Sequence, residues 1–270
     1  MTAIAVTIAG SDSGGGAGIQ ADLKTFSALG VYGASVITAL TAQNTRGVTG
    51  IHETPPDFVR AQMDAVFSDL AVNAVKIGML ANPEVIRAVA DGLEAWRQTV
   101  VVLDPVMIAA SGDPLLREEA VATLREVLIP RALVLTPNLP EAARLLETGP
   151  ADGKDAMLAQ AKALMDLGAH SVLLKGGHAD GPESVDLFLS NAGPLWLTAR
   201  RHPTQNTHGT GCTLSSAIAA GLAKGLHLEE AVAEAKRYVT DAIVAADGLK
   251  IGHGHGPVHH FHSLWKGLHA

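Results

Sequence analysis

A glycine-rich turn beside the only cysteine is the stretch of this chain with the clearest chemistry. It runs from Asn206 to Cys212, reads Asn-Thr-His-Gly-Thr-Gly-Cys, and precedes an Ala/Leu/Ile run with good helix propensity. The first N–H groups of a helix have no intrahelical partner, and the helix dipole adds about half a positive charge there. The stretch therefore resembles an anion cradle for a phosphate or a developing oxyanion.

Cys212 lies inside that positive field. A thiol at a helix N-terminus has a lowered pKa, so Cys212 is a candidate thiolate, nucleophile or base. The structural alternative is a glycine-rich loop before a buried helix, with Cys212 as a small apolar filler. This stretch alone does not decide between the two interpretations.

Polar residues also follow several buried strands of the predicted sheet. In parallel sheets ligands bind outside the carboxyl ends of the strands, so these residues are the informative ones. Phosphoryl transfer from a magnesium nucleotide needs alignment of the acceptor and neutralisation of charge on the moving phosphoryl group. The residue types present suit that reaction: two carboxylates, an amide, a lysine and an amide-lined anion site. Singly, each residue also fits a turn or a solvated strand end. The candidates are Asp104, Asn138, Glu141, Lys175 and the segment from Gly209 to Cys212.

Two commoner phosphate-binding motifs are absent from the sequence. No G-x-x-x-x-G-K-[ST] occurs, and the segment from Gly14 to Ile19 lacks the third glycine of G-x-G-x-x-G. The sequence therefore argues against a P-loop and against a nicotinamide dinucleotide site.

Strands that alternate with helices along the whole chain must position these residues. The pattern predicts an α/β fold with a mostly parallel central sheet and helices on both faces, in one domain over residues 1–270. The segment 32–40 is expected to be one strand that ends in a polar loop at 41–47, and Asn82-Pro83 is expected to start a helix. The other predicted strands are 3–9, 73–77, 99–103, 132–135, 171–174 and a hairpin of 184–189 with 195–199; further helices are expected near 19–29, from Pro56, and at 118–127 and 155–167.

Composition places the chain among ordinary globular proteins. Of its 270 residues 47% are hydrophobic and 17% charged, and the net charge of −7 argues against nucleic acid or an anionic membrane as the main partner. One cysteine excludes an internal disulfide, which fits a reducing compartment. No signal peptide and no apolar run of the ~18 residues needed to span a bilayer is present, so we expect a cytoplasmic protein.

Motifs along essentially the whole length resemble the ribokinase superfamily, and within it the hydroxymethylpyrimidine/phosphomethylpyrimidine kinases of thiamine biosynthesis. The resemblance implies a three-layer ribokinase-like fold, use of ATP and Mg²⁺, and a homodimer; a monovalent cation is a further candidate cofactor. The matching segments are 14–25, 42–45, 76–80, 104–107, 138–141, Lys175 to His178, 206–212 and 256–262.

The resemblance also implies roles for individual residues in the phosphate site. Gly209, Thr210 and Gly211 would form the anion hole, and Lys175 would contact the transferred or terminal phosphate. Asp104 and Glu141, with Asn138 beside them, would hold the magnesium nucleotide, directly or through water. Most of the superfamily has an aspartate base where this chain has Cys212, a departure that the pyrimidine kinases share with a group of pyridoxal kinases.

For the pyrimidine, the resemblance implies that Gln43 pairs with the ring nitrogen and exocyclic amine. Met79 and Val106 would lie against the ring faces, with Gly10 nearby and Asp22 close to the hydroxymethyl group. The structural alternatives are a loop-capping Gln43 and a core Met79.

The implied function is ATP-dependent phosphorylation of 4-amino-5-hydroxymethyl-2-methylpyrimidine to its monophosphate and then to its diphosphate. Two alternatives stay open: a pyridoxal kinase, and a pyrimidine-sensing module that has lost catalysis. The C-terminal histidines lack metal-ligand spacing, and we expect them to pack against a domain edge or a subunit.

Overall fold

An eight-stranded sheet forms the centre of the molecule, in a computed structural model that describes residues 1–107, 118–177 and 181–265. Its strands are β1 (Ile4–Ala9), β2 (Tyr32–Ile37), β5 (Ala74–Ile77), β6 (Val101–Leu103), β7 (Val134–Leu135), β8 (Val172–Leu174), β9 (Glu183–Ser190) and β10 (Gly193–Arg200). Their spatial order is β10-β9-β8-β7-β6-β5-β1-β2, and the pairs from β8 through β2 are parallel. The hairpin of β9 and β10 completes one edge with antiparallel pairs.

Helices cover both faces of this sheet, which confirms the predicted three-layer α/β fold. Successive strand residues point to opposite faces; Val101 and Leu103 of β6 pack in one hydrophobic cluster, whereas Val102 packs in the other. The first cluster includes side chains of α2 (Pro56–Phe67), α3 (Pro83–Ala95), α4 (Glu118–Thr123), α5 (Leu139–Leu146) and α6 (Gly153–Asp166); the second includes α1 (Gly18–Ala28), α7 (Thr210–Ala223) and α8 (Leu228–Val244).

The segment after β2 differs from the prediction. The expected single strand 32–40 breaks at Thr38, whose hydroxyl donates to the carbonyl of Met79 (2.8 Å). The expected loop 41–47 is mostly strand: β3 (Ala39–Asn44) pairs with β4 (Gly47–Glu53) in a separate antiparallel ribbon. The ribbon was missed because much of it is exposed and polar, so it lacks the apolar alternation of a half-buried strand.

Local signals explain two element starts near the site. The Asn82 side chain accepts from the N–H of Val85 (2.9 Å) and Pro83 occupies the first helical position, as predicted for α3. Asn138 caps α5 in a reciprocal box with Glu141. The helix expected at 118–127 begins as α4 and continues as a π-helical turn over Leu124–Leu128.

Three further predictions concern the C-terminal histidines, the number of domains and membrane-spanning helices. Of the C-terminal histidines, His259 and His260 are buried against the domain, where Tyr238 donates its hydroxyl to the carbonyl of His260 (2.6 Å) and the His259 amide donates to Ala242, whereas His253 and His255 are exposed. A single domain over 1–270 stays a prediction, although one sheet contains both β1 and β10. Among the described residues, no helix has the length and apolarity required to cross a membrane.

Candidate active site

Three charged side chains meet at the carboxyl ends of β6, β7 and β8. The Lys175 ammonium lies 2.9 Å from Asp104 Oδ1 and 3.9 Å from Glu141 Oε2. Thr136 donates its hydroxyl to the same Asp104 oxygen (3.0 Å), while Ser215 of α7 lies 3.4 Å from Oδ2. The structure thus brings together the predicted carboxylates and lysine.

Each of the three is placed by a backbone feature of its own. Asp104 directly follows β6, and its N–H donates to the carbonyl of Ile77. Glu141 is fixed by the α5 capping box: its carboxylate accepts from the Asn138 N–H (2.7 Å), and its own N–H donates to the Asn138 side chain (2.8 Å). Lys175 pairs with Asn138 in an isolated parallel bridge beyond β8.

Burial and mutual charge set the protonation of this cluster. Burial opposes the charge on Asp104, but Lys175 and Lys76 outweigh it, so the pKa of Asp104 lies below its ordinary value. The pKa of Lys175 is raised, because Asp104 and Glu141 together outweigh its burial. Burial, reinforced by Asp104, raises the pKa of Glu141 to about 7 despite the opposing charge of Lys175. Glu141 is therefore the member of the cluster that changes charge near neutrality.

The glycine turn faces this cluster. A Cβ placed on Gly211 would lie 3.4 Å from Lys175 Nζ and 3.5 Å from Asp104 Oδ2, so the backbone approaches both groups closely. Gly209 is the N-cap of α7 with φ 82°, a left-handed conformation that glycine adopts without strain. The Thr210 N–H donates back to the carbonyl of Thr207 (3.2 Å), whereas Gly211 and Cys212 follow in the first turn, where helical amides have no intrahelical acceptor.

The protonation of Cys212 differs from the expectation. A helix N-terminus was expected to lower its pKa, but burial raises the pKa of the Cys212 thiol to about 11. Asp22 and Asp104 disfavour the thiolate further, and the opposing effects of Lys76 and the Gly18 amide are too small to compensate. The thiol is therefore neutral at physiological pH in this structure.

Three of the residues proposed for the pyrimidine lie together. Met79 and Val106 pack in one small apolar cluster with Ala39. A Cβ on Gly10 would lie 3.1 Å from Met79 Cε, so the absence of a side chain there leaves room beside the methionine. Gln43 lies on β3, where its backbone exchanges two 2.8 Å hydrogen bonds with the Ser13 hydroxyl and its side-chain oxygen accepts from Thr41 (3.1 Å).

Asp22 lies in a different environment from the one expected of a ligand-contacting carboxylate. It is fully buried in an ion pair with Lys76, with Nζ–O distances of 2.8 and 2.9 Å. Thr7 donates a 2.6 Å hydrogen bond to Oδ2 of Asp22, and Ser216 donates another of 2.6 Å to Oδ1. These contacts indicate that Asp22 fastens α1, α7 and the sheet together; its contact with the hydroxymethyl group stays a prediction.

Comparison with known proteins adds to this geometry. A sequence model described as phosphomethylpyrimidine kinase matches residues 12–259. The chain belongs to the phosphomethylpyrimidine kinase family. It is 63% identical to the hydroxymethylpyrimidine/phosphomethylpyrimidine kinase of Rhizobium meliloti (strain 1021) over 98% of this chain and all of that protein, and 54% identical to the Escherichia coli K12 protein of the same name over 97% and 98%. It is also 54% identical to the thiamine biosynthesis bifunctional protein ThiED of Geobacter sulfurreducens, over 94% of this chain and 51% of that one.

Solved structures support the family and its fold. The phosphomethylpyrimidine kinase of Clostridium difficile 630 superposes with a TM-score of 0.79 at 45% identity, over 89% of this chain and 99% of that chain. An ADP complex of Bacillus subtilis pyridoxal kinase superposes with a TM-score of 0.89 at 36% identity, over 96% and 98%. The ribokinase-like fold is therefore established for this family member, and the solved pyridoxal kinase, which represents the alternative enzyme class, shares it.

Sequence reasoning missed several residues of this candidate site. Lys76 belongs to the matching segment 76–80 but was not predicted as a site residue, although it is fully buried and influences both Asp104 and Cys212. Asp12 was placed only in a glycine-rich loop and His208 only within the glycine turn, and their 2.8 Å hydrogen bond was not predicted. No local signal reveals a contact between residues so far apart in the chain. His178, the last residue of the quoted Lys175 motif, lies outside the described residues.

The residues present fit a magnesium nucleotide by their chemistry. Carboxylate oxygens are preferred by Mg²⁺, which takes one or two of them and keeps several waters. Asp104 and Glu141 would supply those oxygens, and Lys175 a cation for phosphate. Among the described parts of the chain, no group of three or more His, Cys, Asp or Glu side chains could hold a metal ion alone.

Proposed function

We propose that this protein phosphorylates 4-amino-5-hydroxymethyl-2-methylpyrimidine at its hydroxymethyl oxygen and then phosphorylates the resulting monophosphate, as a step of thiamine biosynthesis. The observation that carries the proposal is the convergence of Lys175, Asp104 and Glu141 on the glycine turn at the start of α7. Family membership and the names of the close relatives give the substrate class.

Each part of the site has a role in the transfer. Mg²⁺, when bound with ATP, supplies charge neutralisation on the phosphates; Asp104 and Glu141 would hold it, directly or through water. Lys175 would neutralise charge on the transferred group, and the amides of the glycine turn would stabilise its oxygens. Gly209, Thr210 and Gly211 are the proposed anion hole, although Thr210 also uses its amide within the turn.

Cys212 is the proposed base for the first transfer. Only the thiolate form can accept the proton of the acceptor hydroxyl, so with a pKa of about 11 the first transfer would depend on the small ionised fraction of Cys212, which becomes the neutral thiol as the proton arrives. The second acceptor is a phosphate monoester that is already largely ionised near pH 7, with a second pKa of ~6. It therefore needs no base, and Lys175 should matter more for it.

The pyrimidine would bind beside Gly10, between Met79 and Val106, with Gln43 paired to the ring nitrogen and exocyclic amine. The clustering of Gly10, Met79 and Val106 supports this location. A pyridoxal kinase is the second candidate, since a solved pyridoxal kinase superposes closely on this chain.

The deciding experiment measures phosphate transfer from Mg-ATP to the hydroxymethylpyrimidine and, separately, to pyridoxal. We expect two successive products with the pyrimidine and a large loss of both in Lys175→Met. Lys154→Met is the matched control, because this lysine lies 5.1 Å from the Trp196 ring, outside the charged cluster. Turnover of pyridoxal alone would favour the second candidate, and binding of the pyrimidine without turnover would indicate a sensor.

We further propose a homodimer in the cytoplasm; a monovalent cation is a further cofactor to test. Exposed Leu40 and Ile51 on the β3–β4 ribbon offer an apolar surface to a second copy. A free Cys212 thiol fits a reducing compartment. Sedimentation of the wild type and Leu40→Glu tests the dimer, cell fractionation tests the compartment, and assays with K⁺ or Na⁺ replaced by tetramethylammonium test the cation.

A further inference from the structure

Two loops of the site touch backbone to backbone. The glycine loop (14–18) follows β1, and the glycine turn (206–212) precedes α7. A Cβ placed on Gly209 would lie 1.8 Å from the carbonyl oxygen of Gly16, so no side chain fits between the two segments. A Cβ on Gly16 would in turn lie 2.4 Å from Cδ2 of His208. The position of one loop therefore fixes the position of the other.

Asp12 is the acceptor that gathers the glycine loop. Its carboxylate accepts backbone hydrogen bonds from Gly14 (2.8 Å), Gly16 (3.0 Å) and Ala17 (2.8 Å). Oδ2 also accepts from Nε2 of His208 at 2.8 Å. Asp12 is 1% exposed, so these four contacts replace its hydration almost completely. Charge-assisted hydrogen bonds of this kind are the strong ones in proteins.

His208 connects that acceptor to the glycine turn. Its backbone is held on the other side by the C-terminal tail: its N–H donates to Gly256 (3.0 Å) and its carbonyl accepts from Val258 (3.2 Å). Gly209, the N-cap of α7, is the next residue. A change in the imidazole contact is therefore transmitted to the first turn of α7 through a single peptide bond.

The glycine loop also contacts the reacting side of the site. Gly18 approaches Gly10 closely, since a Cβ on Gly18 would lie 2.5 Å from the Gly10 carbonyl oxygen. The Gly18 amide in addition hydrogen-bonds the Cys212 sulfur, which favours the thiolate. The loop thus spans from the proposed acceptor pocket to the proposed base.

We infer that Asp12 and His208 are positioning residues for phosphoryl transfer: their hydrogen bond holds the glycine loop against the start of α7, so that the amides of the glycine turn and Cys212 are aligned with the acceptor. Alignment of this kind acts mainly on the transfer step, and a displacement of about 1 Å in an active site can cost ~10²-fold in rate. The inference rests on the kinase activity proposed above.

The test compares His208→Ala with His208→Gln, whose side-chain amide nitrogen reaches about as far as Nε2 of histidine. We expect His208→Ala to lower kcat for the first transfer at least ~10-fold while the KM for ATP changes less than ~3-fold. His208→Gln should recover most of that loss. The matched control is Tyr238→Phe, which removes a buried 2.6 Å hydrogen bond to the same C-terminal tail without contacting either loop. It should lower Tm by a few degrees and leave kcat within ~2-fold.

Equal kcat values in wild type, His208→Ala and Tyr238→Phe would overturn the inference, as would a His208→Gln that folds normally but is no faster than His208→Ala. If His208→Ala does not fold, His208→Asn replaces it, because its shorter amide cannot reach Asp12. His208→Gln should then exceed His208→Asn in kcat at least ~5-fold, and equal values would overturn the inference. An inactive wild type would instead refute the proposed function.

Discussion

Ionisation of the Cys212 thiol should control the rate of the first transfer. With a pKa of about 11, roughly one thiol in ten thousand is ionised at pH 7 and about one in a hundred at pH 9. If transfer to the neutral hydroxyl requires that proton acceptor, kcat/KM for the hydroxymethylpyrimidine should rise about tenfold for each pH unit in this range. No plateau is expected below about pH 10, because the raised pKa lies above it.

The assay follows both transfers by product formation between pH 7.5 and 9.5, in wild type and Cys212→Ala. Measurement above pH 7.5 separates Cys212 from Glu141, whose pKa of about 7 produces a rise at lower pH. The ratio kcat/KM is used because it reports groups of the free enzyme. In the variant we expect a slow first transfer with a flat profile, because alanine has no ionisable group.

The second transfer supplies the internal control. Its acceptor is already ionised in this range, so its profile should be flat in both proteins and its rate little changed in Cys212→Ala. The reasoning fails if Cys212→Ala retains the same pH slope for the first transfer, or if the wild-type profile levels off near pH 8. Either result would mean that another group accepts the proton or that the bound thiol is far more acidic than its burial dictates.

Three further predictions concern the backbone at Gly209, the buried ion pair of Lys76 with Asp22, and the proposed magnesium ligand Glu141. Gly209→Ala should abolish transfer, because its Cβ would lie 1.8 Å from the carbonyl oxygen of Gly16. Gly225→Ala is the control: it has a similar φ of 86° but no atom within 4 Å, so it should cost only about 1–2 kcal/mol of stability and remain active. Lys76→Met leaves the fully buried carboxylate of Asp22 without a counter-charge, so urea unfolding should show a loss of about 3–5 kcal/mol, and a loss below 1 kcal/mol would contradict the geometry. Glu141 is ionised above its pKa of about 7 and protonated below it, so Mg-ATP affinity measured by calorimetry should weaken as pH falls from 8 to 6; an equal decline in Glu141→Gln would assign the effect to another group.

Local signals predicted the elements that position the charged cluster. Asn82-Pro83 starts α3, and the apolar run before Asp104 forms a buried strand, because capping and burial depend on neighbouring residues that the sequence displays. The alternation of strands and helices then places Asp104 and Lys175 at the same edge of the sheet. For this reason the Asp104, Glu141 and Lys175 cluster could be predicted from the sequence.

Contacts between distant segments could not be predicted in this way. The pairing of Asp12 with His208 spans 196 residues, and each residue looks like an ordinary polar loop position. Gln43 was placed in a loop because β3 is stabilised by a partner strand rather than by an apolar face of its own. The pKa of Cys212 was expected to fall because the helix terminus is visible in the sequence, whereas the burial that raises it depends on packing of the whole domain.

A neutral thiol at position 212 suits an enzyme that performs both transfers. The second acceptor carries nearly two negative charges, and two unit charges about 5 Å apart repel by about 3 kcal/mol at an effective dielectric constant of about 20. A permanently ionised carboxylate at this position would accept a proton from the alcohol but would repel the monophosphate. Cys212, with its raised pKa, is neutral when the monophosphate binds and loses its proton only at high pH. Cys212→Asp should therefore raise the KM for the monophosphate more than the KM for the alcohol, and equal changes in the two KM values would contradict this electrostatic explanation.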